Sequence, residues 1–534
     1  MLFRSVFSME NTKPNLGIYF KMPNPGLRAY LQHVVEGQSE DYRPPFWKGL
    51  SRETVLLRWS KRLDALSRKV EVPGLMEFEA EMRTKVGPLS VQQPLSDRIE
   101  SIEHYYTLIN AKSVPIDPRA IEATWKTFSR AGGVRQKSTR DAVANMRLNT
   151  NSGTPYFMKR RAALEDTMKY LNTLDPTVLD GYKMAAVLGW RGQEGGPRDE
   201  DVKQRVVWMM AFSINLIEGT IYQPLITSWQ HNGINSAYIS MRAVEEKITR
   251  LFDTKGDEYC VVTDFSKFDQ HFNSDLQSAA KQLISKSLTK NEYTQQWLER
   301  VFPVKYYIPM ICSDQLMYKG NHGMASGSTG TNFDECCAHT AMQHECAILN
   351  KATLNPYSNA YGDDGYLSFK GIDVDKVIST YSSHGQEMNP SKQSVDKHSA
   401  VYLRRYFHDS YRDNSGIMLG IYSTFRALGR LLGQERYFDE DSIEYKKLTE
   451  LRAYSILENC KNHPLFHEFI DFVITGDRYR LGLSIPGFLD SLPKQVKKLG
   501  AVAGDILGYT KMLQGDDFTG IQNWEVVKYL RSLR

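Results

Sequence analysis

The chain has 534 residues, 41% hydrophobic and 24% charged, a balance that excludes a disordered or fibrous chain. Its net charge of 67 minus 62, or +5, is too small an excess to argue for nucleic acid unaided, and six cysteines are too few for a disulfide framework, so they read as reduced intracellular thiols. No apolar run approaches the roughly 20 residues that span a bilayer, and the stretch MLFRSVFSMEN is not a signal peptide, so a soluble chain of two or three lobes is expected.

The first ninety residues are irregular and rich in proline and glycine, with a helical pattern over residues 53–66. Such a segment reads as an arm laid across other lobes. Residues 90–255 read mainly as helices, broken by Gly/Pro loops at residues 151–155 and 189–198. A short β-rich run follows at 259–265, then polar helices and connections to about residue 320. A Gly/Ser loop leads into a helix over residues 326–349, and a hairpin-like segment spans 359–369. A second hairpin is expected between residues 401–407 and 417–422, turning at Asp413-Asn-Ser-Gly416. The last hundred residues look mostly helical, with a basic, glycine-punctuated tail from Pro493.

Asp264 ends the β-rich run, and a strand end is a rigid place for a metal ligand. Far downstream, Gly362-Asp363-Asp364 sits between two short strand-like segments. Two adjacent carboxylates on a tight hairpin can meet a third from a neighbouring strand. Three carboxylates can hold two Mg²⁺ ions roughly 4 Å apart, and Mg²⁺ favours oxygen ligands. The bland reading is a surface turn. A second triplet, Gly515-Asp-Asp517, lacks strand flanks and reads as a turn or helix cap. Cys336, Cys337, His339, His344 and Cys346 have zinc-ligand chemistry. They fall on one continuous helix and scatter around it, so core packing is the better reading.

Order adds weight. Asp264-Phe-Ser-Lys-Phe-Asp269 resembles motif A of viral RNA-dependent RNA polymerases, Ser326-Gly-Ser-Thr-Gly-Thr331-Asn332 resembles motif B, and Tyr361-Gly-Asp-Asp364 resembles motif C. Any one motif is weak, whereas the ordered set over about one hundred residues is specific. The wording of motifs A and B is most similar to that of picobirnavirus polymerases. The resemblance implies an α+β right hand of fingers, palm and thumb. It implies an arm over 1–90, fingers over 91–255 and 276–320, palm over 256–275 and 321–425, and thumb with tail over 426–534.

It also implies roles. Asp264, Asp363 and Asp364 would hold two Mg²⁺ ions, with Mn²⁺ able to substitute. Lys203 and Arg205 look like motif F, whose cations pair with triphosphate oxygens; a solvated charged face is the bland alternative. Arg191 and Arg198 are weaker candidates for the same path. Asp269, with Ser326, Thr331 and Asn332, would recognise the ribose 2′-hydroxyl. Many positive-strand relatives place the motif B asparagine four residues after the threonine, but here that position is Glu335, so Asn332 could instead cap its helix. Ser152, Gly153 and Pro155 look like the template-guiding motif G. Lys392, in a motif D-like segment, would protonate the leaving pyrophosphate, or be an exposed loop lysine. Arg426 and Arg430 would touch RNA from the thumb or line an exposed helix. Trp524 and Tyr529 would stack under an initiating nucleotide or pack within the thumb.

The partners implied are RNA template and product, ribonucleoside triphosphates, and a viral capsid protein, with no membrane. The setting implied is a double-stranded RNA virus, inside the virion or in host cytoplasm. A reverse transcriptase is the first rival, and Asp269 argues against it. An RNA-binding particle protein with a relic palm is the second, and intact acids in motifs A and C argue against decay. A metal-dependent nuclease would not need the motif B loop.

Overall fold

In the computed structural model, the described residues are 9–47, 49–171, 184–196, 198, 201–388, 393–437, 444–503 and 520–534. Helices and strands are mixed as expected. The central sheet runs in the order Ser394–Asp396, Cys260–Thr263, Asp364–Leu367, Asn359–Tyr361, all antiparallel. Its buried face rests on the long helix Thr331–Leu349 and on Ser274–Ser287. Val261, Phe265, Leu367, Phe333 and Leu276 share one apolar core there.

A second sheet orders Glu10–Thr12, Met317–Lys319, Met310–Ile311, Ala186–Gln193 and Lys203–Met209. Here the expectation of helices with a loop over 189–198 fails, because residues 189–193 are strand. The two glycines allow close approach rather than a turn. Gly189 packs on Val207 and Met209, and a Cβ at Gly192 would run into the Leu89 backbone.

The second hairpin also differs. Ser399–Tyr402 pairs with Arg405–His408 through Leu403 and Arg404, both left-handed at φ 48° and 64°. The run read as one strand is thus itself a hairpin, and neither turn residue is the Gly or Asn that signals one. The turn at Asp413–Gly416 is present, with Gly416 N–H on the Asp413 carbonyl at 2.9 Å.

Residues before 90 touch both sides of the molecule. The helix Pro25–Glu36 buries Leu27 and Leu31 with Val187 and Ile311. The helix Arg52–Leu66 buries Val55, Trp59 and Leu63 among Leu428, Phe469 and Ile470 of the C-terminal helices. Trp524 and Tyr529 join that same cluster, and the Tyr529 hydroxyl donates to Asp471 at 2.8 Å, so packing is the role observed.

Candidate active site

Asp264 stands one residue past the strand Cys260–Thr263, and Thr263 is in register with Gly365 on the next strand. A two-residue turn joins Asn359–Tyr361 to Asp364–Leu367, with Tyr361 opposite Asp364 and Gly362 at φ 65°. Glycine adopts that backbone at no steric cost. Its missing Cβ, which would lie 2.9 Å from the Asn332 amide, also leaves room for motif B. Register therefore gathers Asp264, Asp363 and Asp364 at one sheet edge, where all three remain exposed to solvent.

Asp363 and Asp364 are open to solvent yet have protein packed close about them. Burial raises Asp363, as do Asp269 and Asp264, while Arg205 offsets part of the rise. Burial and then Asp363 and Asp264 push Asp364 up to about 7, against Arg404 and Arg426. A cation placed among them would relieve this crowding. Among the described residues no three His, Cys, Asp or Glu side chains form a ready-made metal cage. An all-oxygen site for Mg²⁺ does not require one, because that ion keeps waters and takes substrate phosphates.

The backbone of Asp264 is clamped by Gln393, whose Oε1 accepts the Asp264 N–H at 2.9 Å and whose Nε2 donates to its carbonyl at 2.8 Å. Sequence reading missed Gln393. It arrives only because Ser394–Asp396 pairs with Cys260–Thr263.

Asp269 is buried and accepts from the Arg205 guanidinium. Glu335 lies against the same carboxylate. Burial first, then Asp269 and Asp363, push its carboxyl well above the usual range. A Cβ at Gly362 would lie 3.2 Å from Glu335 Oε2, so the residue that departs from the motif B pattern still borders motif C.

The Ser326 hydroxyl donates to the Val206 carbonyl at 3.2 Å, tying the motif B loop to the strand that carries Lys203 and Arg205. The Thr331 hydroxyl holds the Ala325 carbonyl at 3.1 Å. Asn332 does not cap the helix. Gly330 occupies the cap with no side-chain bond, and Asn332 Oδ1 accepts from the Tyr238 hydroxyl at 2.6 Å. The loop sits on a buried polar group invisible in sequence. Glu218 accepts from Ser328 Oγ at 2.7 Å and Thr329 N–H at 2.9 Å, and Lys305 lies 3.1 Å from Asp334 and 4.0 Å from Glu218.

Strand periodicity puts Lys203 and Arg205 on one face with Arg191 opposite, while Val206 and Trp208 enter the core. Lys203, Arg205 and Arg191 are exposed. Arg198 pairs with Asp201 at 2.9 Å.

Ser152, Gly153 and Pro155, the residues that look like the template-guiding motif, are buried. The Ser152 N–H donates to the Met158 carbonyl at 2.7 Å, and its own carbonyl accepts from Phe212 N–H at 2.8 Å. Gly153, at φ 60°, is pressed against the Met210 backbone. The turn anchors the chain, and the exposed cations beside it are Lys159 and Arg161.

Arg426, expected on an exposed or RNA-facing helix surface, is instead buried and bonded to Glu194 at 2.6 Å. Arg404 shares that carboxylate at 3.2 Å, and Arg430 is half-buried beside them. Lys392 and the triplet at residues 515–517 lie outside the described residues. Cys336, Cys337, His339 and Cys346 are core residues, in keeping with packing rather than zinc. Burial pushes His339 down to about 4, so its ring is neutral.

The chain resembles known proteins along most of its length. The family model for viral RNA-dependent RNA polymerase matches residues 137–463. A potential RNA-dependent RNA polymerase of human picobirnavirus is 49% identical over 97% of this chain and 98% of its own length. Two crystal structures of a human picobirnavirus RNA-dependent RNA polymerase superpose on it. One reaches a TM-score of 0.90 at 48% identity, and an insertion-loop deletion mutant reaches 0.89 at 46%; each match covers 98% of this chain and 100% of the other. The fold is therefore the right-hand polymerase fold. The chain belongs to the viral RNA-dependent RNA polymerases, as an enzyme of nucleotidyl transfer similar to those of picobirnaviruses.

Proposed function

We propose that this polymerase copies RNA from ribonucleoside triphosphates with two divalent ions, Mg²⁺ by preference and Mn²⁺ as substitute, held by Asp264 and Asp363 with Asp364 assisting. The carrying observation is the register of Thr263 on Gly365, which brings all three carboxylates to one edge. The raised Asp363 and Asp364 carboxyls mark a site built to receive positive charge. When bound, such ions activate the attacking 3′-oxygen and stabilise the departing one.

The chain's own residues supply the rest. Lys203 and Arg205 face the triphosphate from an exposed strand, Arg as a fork and Lys as a point charge. Asp269 accepts the ribose 2′-hydroxyl once Arg205 turns toward phosphate. Ser326, Thr331 and Asn332 hold that wall in place through the bonds to Val206, Ala325 and Tyr238. Lys392 gives its proton to the leaving pyrophosphate. The buried turn of Ser152, Gly153 and Pro155 guides template indirectly, by fixing the strand and helix on either side.

Fingers over 91–255 and 276–320, palm over 256–275 and 321–425, thumb over 426–534 and a bridging arm over 1–90 fit the packing described. The likeness to a picobirnavirus polymerase supports transcription and replication of a double-stranded RNA genome. The same proposal has it work inside the virion or host cytoplasm, beside a capsid protein. Asp363→Asn should fold as wild type and lose at least about a hundredfold in nucleotide incorporation, since even residues behind a metal ligand are worth that much. Full turnover in the folded variant would discard the assignment.

A further inference from the structure

We propose that His339 is a positioning residue for the metal-carrying carboxylates, one imidazole joining the residue before Asp264 to the residue before Asp363. This rests on the reading of Asp264 and Asp363 as ligands. His339 Nδ1 lies 2.9 Å from the Gly362 carbonyl, and Nε2 lies 3.3 Å from the Thr263 hydroxyl. A carbonyl only accepts, so Nδ1 carries the proton. In the neutral ring, Nε2 is then an acceptor for the Thr263 hydroxyl, which also reaches the Gly365 carbonyl at 3.3 Å. Asp264 follows Thr263, and Asp363 follows Gly362. The spacing between the two carboxylate-bearing backbones is therefore spanned by one rigid ring.

The ring is held without slack. It meets Phe265 edge-on at 5.1 Å and Tyr381 at 5.7 Å, and it is fully buried. A Cβ at Gly365, the residue after Asp364, would lie 2.7 Å from Nε2. The helix Thr331–Leu349 grips the same turn a second time, because Cys336 Sγ accepts the Gly362 N–H at 3.3 Å. Cys336 and His339 are three apart, hence on one helix face. Both backbone polar groups of Gly362 are thus satisfied from motif B. Partners that orient ligands in this way are commonly worth about 10–100-fold in metal affinity or activity.

The test uses the full chain without nucleotide. Mn²⁺ binding is read by calorimetry and set beside the Mn²⁺ half-saturation of RNA synthesis. Thr263→Val and His339→Leu should each weaken binding and raise half-saturation about tenfold or more. His339→Asn, whose amide nitrogen can stand in for Nδ1, should recover part of the loss. A merely structural role would lower the melting temperature and leave metal affinity unmoved. Wild-type Mn²⁺ binding and half-saturation in folded Thr263→Val and His339→Leu overturn the proposal. If His339→Leu does not fold, Thr263→Val, which keeps the side-chain shape, decides alone. Loss of binding in Asp363→Asn with none in Thr263→Val rejects His339 and keeps the ligands. Wild-type binding in Asp363→Asn rejects both.

Discussion

Asp269 carries more than its sequence motif declares. In the protein without nucleotide, its carboxylate is taken by Arg205 and bordered by Glu335, whose carboxyl it helps to raise. On the proposed reading, nucleotide binding exchanges those partners for phosphate and ribose. Arg205→Ala should therefore raise the KM for nucleotide about tenfold or more, the worth of one charge-assisted bond, and should also lower the melting temperature, because it leaves the buried Asp269 without its cation. Steady-state incorporation over a nucleotide series measures it, and an unchanged KM would remove Arg205 from the channel. Asp269→Asn should narrow the preference for ribo- over deoxyribonucleotides by about 10-fold or more, read as a ratio of kcat/KM. The acidic centre was legible because strand flanks and glycine are short-range signals. Gln393 and His339 were not. Gln393 meets Asp264 across 129 residues of chain and His339 meets Thr263 across 76, and no local pattern encodes such meetings.

Elements were legible where period and punctuation agreed, as for the helix Arg52–Leu66 and the strand Cys260–Thr263 just before Asp264. They were misread where glycine served contact instead of turning. Gly192→Ala places a methyl against the Leu89 backbone, so it should cost about 1–3 kcal/mol in urea unfolding. A wild-type midpoint would contradict that packing. A second element-level test concerns how the segment before residue 90 is pinned. Glu79 is fully buried and accepts from Ser423 Oγ, Thr424 N–H and Thr424 Oγ1 at 2.6–2.9 Å, with His463 Nε2 at 3.0 Å. Burial alone would raise its carboxyl, but the His463 and hydroxyl bonds win and hold it below 4.5. A lowered folded pKa contributes stability above the unfolded value of about 4.5 and loses it as pH falls through the folded one. Glu79→Gln should therefore be destabilised at neutral pH, and the gap to wild type should close in acid. A gap constant with pH would contradict the sign.

At the scale of the whole molecule, the strand pair bearing Lys203 and Arg205 meets the C-terminal half through ion pairs. Glu194 binds Arg426 at 2.6 Å and Arg404 at 3.2 Å, and Arg191 lies 3.6 Å from Glu435. Composition could not have shown this, since a net charge of +5 says nothing about where opposite charges meet. The general plan of the fold was legible through the ordered motifs, whereas this meeting depends on residues 232 apart in the chain. The decisive measurement is nucleotide incorporation on a primerless single-stranded RNA template with Mg²⁺, giving ribo- and deoxyribonucleotides in parallel and Asp363→Asn as control. Template-length product from ribonucleotides alone, absent in the variant, is the predicted result. Product mainly from deoxyribonucleotides, or equal synthesis by folded Asp363→Asn, would contradict it.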